Sequence, residues 1–196
     1  MFTGIIESLG EIKSIEKQGS NINFKIQSKI TSELKVDQSI SHNGVCLTVT
    51  KVNLNNYEVT AIEETLKKTN LSTLKIGSLI NLERAMKINQ LLDGHIVQGH
   101  IDQTGKCSSV KNENGSWVYS FEYDDLKNNI TIEKGSIAIN GVSLTVLDSK
   151  KSSFSVAIIP HTYKNTNFHK IIKGEIVNLE FDVLGKYISK MFEIYK

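Results

Sequence analysis

Asn43-Gly44-Val45-Cys46-Leu47-Thr48-Val49 and Asn140-Gly141-Val142-Ser143-Leu144-Thr145-Val146 are one heptapeptide written twice, 97 residues apart, with a single change. Asn-Gly is a strong hairpin signal, because both residues accept positive φ at little cost. Side chains on a strand alternate, so Val45, Leu47 and Val49 share one side while Cys46, Thr48 and Thr50 share the other. In the second copy Val142, Leu144 and Val146 oppose Ser143 and Thr145. The aliphatic side suits a narrow barrel interior, which turns the thiol and hydroxyl side outward or into a groove. A ligand is therefore expected on the barrel rather than inside it.

Matches continue on both sides of this strand. Thr3-Gly4-Ile5-Ile6-Glu7 with Gly10 corresponds to Gln98-Gly99-His100-Ile101-Asp102 with Gly105, at a shift of 95. The shift of 97 carries Thr65 onto Thr162, Asn70 onto Asn167, Gly77 onto Gly174, and Asn81-Leu82-Glu83 onto Asn178-Leu179-Glu180. An ordered series of this kind predicts one duplicated unit, with a boundary within residues 88–97. Short alternating runs such as Asn23-Phe24-Lys25-Ile26-Gln27 and Ser153-Phe154-Ser155-Val156-Ala157 predict an all-β chain whose two halves close as antiparallel barrels. Short helices are expected within residues 65–74 and 162–171.

The tail departs from this pattern. Leu184, Tyr187, Ile188, Met191, Phe192 and Tyr195 fall on one helical face, opposite Lys186, Ser189, Lys190 and Glu193. Such a helix either lies on its own barrel or serves an oligomer.

Bulk properties narrow the function. Net charge is +2 and Arg84 is the sole arginine, which argues against nucleic acid, usually bound by clustered basic residues and guanidinium forks. Two cysteines, Cys46 and Cys107, are too few for a disulfide framework. Neither a basic, apolar leader nor a run of about 18 apolar residues occurs, so a cytoplasmic protein without membrane association is expected. No metal-ligand spacing, P-loop or Gly-x-Gly-x-x-Gly fingerprint appears, and no cofactor is expected. Cys46 reads either as a small buried hydrophobe or as a nucleophile. His100 stands where the first repeat has Ile5; like His42, His95, His161 and His169, it reads as structural or solvated. The Ser/Thr faces suit a polyhydroxylated or heterocyclic ligand.

Met1-Phe2-Thr3-Gly4-Ile5-Ile6, the twin Asn-Gly strands, Gly94-His95 with Gly99-His100-Ile101, and Glu64-Thr65-Leu66 together resemble the riboflavin synthase family over essentially the whole chain. The resemblance implies two six-stranded, Greek-key-like barrels, at 1–94 and 95–185, with a trimerisation helix at 186–196. It also implies a cofactor-free transfer of a four-carbon unit between two molecules of 6,7-dimethyl-8-ribityllumazine, yielding riboflavin and 5-amino-6-(ribitylamino)uracil. A homotrimer is implied, with sites between the N-terminal barrel of one subunit and the C-terminal barrel of its neighbour, and lumazine synthase is a candidate partner. Some relatives carry two adjacent cysteines in the first Asn-Gly strand. Here Val45 precedes Cys46, on the apolar side, and the cysteine of the polar side is retained.

By the same resemblance a first pocket is assigned to Gly4, Ile5, Ile6, Cys46, Leu47, Thr48, Thr60, Ala61, Ile62, Glu63, Glu64 and Thr65, with Phe2 and Ser39 completing its wall. A second is assigned to Gly99, His100, Ile101, Lys134, Ser143, Leu144, Thr145, Ile158, Ile159, Pro160, His161, Thr162 and Tyr163. His100 and Thr145 are expected to assist proton removal from one lumazine's C7 methyl, while Cys46 or water adds to the other. Ser143, Asp182 and Lys134 are expected to hold the ring or ribityl groups and shuttle protons. The repeats differ where pockets with different tasks should differ: Cys46 against Ser143, Ile5 against His100, Asp37 against Lys134, Ala85 against Asp182, Glu64 against His161. A non-catalytic lumazine- or flavin-binding antenna protein of the same fold needs one working pocket; Ser143, Thr145, His100 and Asp182 in the second repeat favour the enzyme. A flavoprotein reductase barrel would need a further nucleotide-binding domain, and an oligonucleotide-binding barrel would need aromatic stacking platforms.

Overall fold

In the computed structural model, which describes residues 1–127 and 129–194, the duplication is complete down to the irregularities. The first barrel comprises β1 (Ser8–Gln18), β2 (Asn21–Ser28), β3 (Ser39–His42), β4 (Val45–Val52), β5 (Tyr57–Ala61) and β6 (Leu79–Arg84). The second comprises β7 (Gln103–Asn112), β8 (Trp117–Glu122), β9 (Ser136–Ile139), β10 (Val142–Ser149), β11 (Ser153–Ile158) and β12 (Ile176–Phe181). The first closes in the order β1-β2-β5-β4-β3-β6, and the second repeats that order as β7-β8-β11-β10-β9-β12. Neighbouring strands are antiparallel throughout, as the alternating runs predict. Each barrel bends at matched register shifts: Ile12/Ser14 and Val49/Lys51 in the first, Cys107/Ser109 and Val146/Asp148 in the second. Extra residues at these points increase the local twist that a six-stranded sheet needs in order to close.

The Asn-Gly turns adopt the left-handed pair that a tight hairpin requires, with φ of 48° and 82° at Asn43 and Gly44 and of 46° and 79° at Asn140 and Gly141. Beyond each turn the aliphatic side is swallowed by its barrel. Val45, Leu47 and Val49 join Phe24, Ile26, Ile40, Val59, Ile80 and Leu82 in the first core; Val142 and Val146 join Tyr119, Phe121, Phe154, Val156 and Leu179 in the second. Cys46 is half-buried and Thr48 exposed, and Ser143 and Thr145 follow the same pattern. Short helices α1 (Glu63–Lys68) and α2 (Pro160–Asn165), each followed by a 3₁₀ turn, cap the barrels close to the expected positions. Those turns deliver Leu71 and Phe168 into the two cores. α1 starts at Glu63, earlier than the sequence pattern indicates, with Glu63 and Glu64 in its first turn and Lys67 and Lys68 in its last, as the helix dipole favours.

Six asparagines join the barrels. Asn43, Asn70 and Asn81 interlock with their repeats Asn140, Asn167 and Asn178, all of them buried. Asn81 Oδ1 accepts from the Asn167 amide at 2.8 Å, and its Nδ2 donates to Asn140 O and Asn167 Oδ1, each at 2.9 Å. In the mirrored position Asn178 Oδ1 accepts from the Asn70 amide at 2.6 Å, and its Nδ2 donates to Asn43 O at 2.8 Å. Between them the hairpin tips abut: a Cβ on Gly44 would lie 2.8 Å from the Gly141 nitrogen. Only a backbone without side chains fits there.

The last element, α3 (Val183–Ile194), meets the second barrel through its polar side, where Lys186 Nζ contacts both oxygens of Asp102 at 2.7 Å. Leu184, Tyr187, Ile188, Met191 and Phe192 are 55% to 69% exposed, so the apolar face does not lie on the chain's own barrel. Tyr195, assigned to that face, lies outside the described residues, as does the side chain of Glu193. Among the described residues no helix is long and apolar enough to cross a membrane.

Candidate functional site

Cys46 on the polar side of β4 and Ser143 on that of β10 are each met by a segment from the other repeat. Residues 2–6 precede β1, and residues 97–101 precede β7. The two segments pair with one another, Phe2 N donating to Val97 O at 2.7 Å and Val97 N to Phe2 O at 3.1 Å. They then diverge to opposite barrels. The Ser143 amide donates to Gly4 O, and the Cys46 amide donates to Gly99 O, both at 2.8 Å. A Cβ on Gly4 would stand 2.5 Å from Ser143 Cβ, and one on Gly99 2.6 Å from Cys46 Cβ; both glycines also have positive φ. Ile6 packs against the second core and Ile101 against the first.

This exchange corrects the grouping read from sequence. Gly4, Ile5 and Ile6 belong with Ser143 and Thr145, whereas Gly99, His100 and Ile101 belong with Cys46 and Thr48. His100 is accordingly brought to the Cys46 side within one chain, not to Thr145. The physical reason is that strand alternation tells which way a side chain points but not which segment lies over it. Phe2 is fully buried beside Val97, Ala138 and Cys46, and a Cβ on Gly99 would come within 2.8 Å of its ring, so it packs next to Cys46 with no exposed surface of its own. Ser39 pairs with Thr48 across β3 and β4.

Other assigned residues distribute unevenly. Leu47, Ala61 and Ile158 are turned into the barrel cores and Leu144 packs partly against one, so these side chains are not available to a ligand outside the barrel. Thr60 Oγ1 donates to Asn23 Oδ1 at 2.7 Å. Ile62 and Ile159 are exposed at the starts of α1 and α2, and Glu63 and Glu64 pair with Lys67 and Lys68 on the outside of α1. Thr65 carries the helix into its turn, its carbonyl accepting from Thr69 Oγ1 at 2.7 Å, as the Thr162 carbonyl does from Thr166 Oγ1. Pro160 opens α2, and His161 lines an open groove of about 450 Å³ together with Ile6, Lys29 and Lys164. Tyr163 stacks on Trp117 with ring centres 3.8 Å apart. Lys134 occupies an exposed turn with φ of 63°, its amide bonded to Val146 O, and the matching Asp37 has φ of 70°. The two differ in charge while sharing a backbone role.

The second site contains a pair that residue patterns did not reveal. His95 Nδ1 lies 2.6 Å from Ser143 Oγ, and the His95 amide donates to Thr3 O at 3.1 Å. Burial pushes this imidazole below its ordinary value, against the pull of the Asp182 carboxylate, so the ring is neutral near pH 7. A neutral imidazole on a hydroxyl can pass a proton in either direction. Asp182 also accepts from the Leu184 amide at 3.0 Å, which seats the start of α3 beside this pair. His95 falls outside the matched repeat segments, so comparing the halves could not single it out; its only sequence signal is the Gly94-His95 step.

A duplicated barrel that presents two polar strands, each met by an exchanged segment, defines a protein with two like surfaces. The chain matches the lumazine binding domain family twice, over residues 3–85 and 98–182. It is 46% identical over 191 residues to a riboflavin synthase of Actinobacillus pleuropneumoniae, covering 97% of this chain and 89% of that one. It is 39% identical to the riboflavin synthase of Bacillus subtilis (strain 168) with the same coverage. Among solved structures, LumP complexed with riboflavin superposes with a TM-score of 0.85 over 92% of this chain and 99% of that one, at 24% identity, and shares the fold. The chain belongs to the riboflavin synthase family.

Proposed function

We propose that the chain is a riboflavin synthase, converting two molecules of 6,7-dimethyl-8-ribityllumazine into riboflavin and 5-amino-6-(ribitylamino)uracil. The observation that carries this reading is that both polar strands, and not one alone, are equipped. Each polar strand keeps its hydroxyl or thiol and its exchanged segment, and a histidine stands at each, His95 on Ser143 and His100 next to the Gly99 that meets Cys46. A protein that merely stores one chromophore has no use for the second set.

The products together contain the same atoms as two substrates, so the transfer needs proton movement and positioning but no external oxidant. Neutral His95 with Ser143 is suited to take a proton from the acidic C7 methyl of one lumazine. The Cys46 side, with His100, is suited to hold the molecule that gives up its four-carbon unit, Cys46 or a water adding to it and leaving again as the unit passes to the deprotonated partner. Proton transfer of this kind contributes about 10² to 10⁴ in rate, and holding two reactants face to face contributes more. Asp182, close to His95, stabilises the imidazolium formed in between.

Within one chain, residues assigned to the two sites border open grooves, of about 450 Å³ beside Ile6 and His161 and about 430 Å³ beside Ser39 and Ala85. A second wall has to come from elsewhere. The uncovered apolar face of α3 offers the means, and a homotrimer that joins the N-terminal barrel of one subunit to the C-terminal barrel of the next would complete both. In this reading 1–94 and 95–185 are the two ligand-binding units, with residues 2–6 and 97–101 exchanged, and 186–196 belongs to the trimer contact. Riboflavin appearing when the purified protein is incubated with the lumazine tests the activity; tight binding without turnover would leave the antenna-type alternative. Sedimentation of the wild type against Phe192→Asp tests the assembly, a shift from trimer to monomer being expected.

A further inference from the structure

Each exchanged segment is held by one buried carboxylate. Glu83 on β6 accepts from the Thr3 amide and Thr3 Oγ1, both at 2.7 Å, and from the Gly4 amide at 3.0 Å. Glu180, its repeat on β12, accepts from the amides of Gln98, Gly99 and His100 at 2.6, 2.9 and 3.1 Å. Both side chains are almost entirely buried, at 4% and 2% exposure. Bonds from N–H groups to an ionised acceptor are the stronger kind, and breaking them inside the protein leaves donors unpaired. The hydrogen bonds of both carboxylates go to these segments and not to the polar sides of β4 or β10. Each grips the segment whose next atoms reach the opposite barrel: Gly4 O takes the Ser143 amide, and Gly99 O takes the Cys46 amide.

We infer that Glu83 and Glu180 are positioning residues that act across the molecule, each holding a segment of its own repeat as the roof of the ligand site on the other. Glu180 in the second barrel thus shapes the Cys46 site, and Glu83 in the first barrel shapes the Ser143 site. This rests on reading those strands as the ligand sites. Its geometry can be tested without any ligand.

Cys46 is half-buried under Gly99, and Cys107, the other cysteine, is fully buried, so alkylation by iodoacetamide followed by peptide mass analysis reads the first roof directly. In the full-length protein Glu180→Ala is expected to speed modification of Cys46 about tenfold or more, because it frees the three amides that hold the roof down, while Glu83→Ala leaves it within about twofold. With Cys46→Ser and Ser143→Cys introduced together, the order reverses and Glu83→Ala becomes the accelerating change. Should an alanine variant not fold, Glu180→Gln and Glu83→Gln keep the volume and one acceptor oxygen, and are expected to give smaller accelerations with the same crossed pattern. Acceleration on the same barrel, equal acceleration at both positions, or none at either overturns the assignment. Failure of the wild type to form riboflavin would instead strike the reading of the sites as lumazine sites and leave the thiol result standing.

Discussion

The two barrels share strand order, bulges, turns and the asparagine seam, yet they differ in what they bury. Inside the first, His42 and Tyr57 form a polar pair, Nε2 to hydroxyl at 2.9 Å, with Nδ1 on Ile40 O at 3.0 Å. The second has Ile139 and Phe154 in those places, while carrying the Trp117–Tyr163 stack where the first has Ile22 and Leu66. Outside, Cys46 is set against Ser143 and exposed Ile5 against exposed His100. Duplication has preserved the frame to within a hydrogen bond while the contents diverged. That is what a reaction needs when one kind of molecule must serve as both donor and acceptor.

The seam should show the largest effects. Asn81→Ala and Asn178→Ala each leave buried backbone groups unpaired, and each is expected to cost about 3 kcal/mol or more in urea unfolding. Asn81 makes one more side-chain bond than Asn178, and Asn70 Oδ1, the mirrored acceptor, is buried without a partner. Asn81→Ala is therefore expected to be worse by ~1 kcal/mol, and a larger loss in Asn178→Ala would break the ranking.

The buried His42–Tyr57 pair should make the first barrel acid-sensitive. Burial pushes the His42 imidazole from 6.5 down to about 4. Between those values the unfolded chain binds a proton that the folded chain refuses. The stability from this site is thus complete above pH 6.5 and lost as pH falls towards 4, by about 3 kcal/mol. Replacing the pair with the second barrel's residues, His42→Ile with Tyr57→Phe, should flatten that part of the pH–stability curve. An unchanged slope would mean that the acid sensitivity lies elsewhere.

At the sites, His95→Gln keeps a hydrogen-bonding group near Ser143 but cannot carry a proton. Riboflavin formation is expected to fall about 10²-fold in kcat, or ~2.7 kcal/mol, with little change in KM. His100→Gln, on the exposed rim over Cys46, is expected to cost about tenfold. Equal losses would show that the two histidines do equivalent work and that the asymmetry of burial has no consequence.

Much of this contrast was legible in residues alone, for a reason with limits. Period-two alternation and the Asn-Gly turns are local properties, so they disclosed the strands, the barrel interior and the outward thiol and hydroxyl faces. The same alternation could not say that residues 2–6 cross to Ser143, because that contact joins positions far apart through backbone atoms every residue possesses. The six asparagines were visible as repeat markers, but their role is tertiary: a buried amide is interpretable only once its partners are known. α3 was legible as amphipathic, while what covers its apolar face is a property of an assembly. His95 had no repeat partner to set it apart from a solvated histidine.

The smallest effect concerns the aromatic stack, which gives the comparison its finest test. Trp117 at the start of β8 lies almost parallel to Tyr163 of α2, with an interplanar angle of 6°. α2 also carries His161, which lines the groove beside Ile6, so the stack ties that edge of the second site to its barrel. In the first barrel the matching residue of α1 is Leu66, which packs partly buried against the core. Offset aromatic pairs contribute about 1 kcal/mol beyond the area they bury, so Tyr163→Leu, which installs the first barrel's residue, should weaken riboflavin binding at the second site about fivefold. Trp117 is the only tryptophan in the chain, and quenching of its fluorescence on titration with riboflavin follows binding, the wild-type curve being compared with that of the variant. The same substitution should leave protection of Cys46 from alkylation by riboflavin unaltered, since the roof there is held by Glu180. Loss of that protection in Tyr163→Leu would mean that the two sites are coupled through the shared Phe2–Val97 pairing rather than shaped independently.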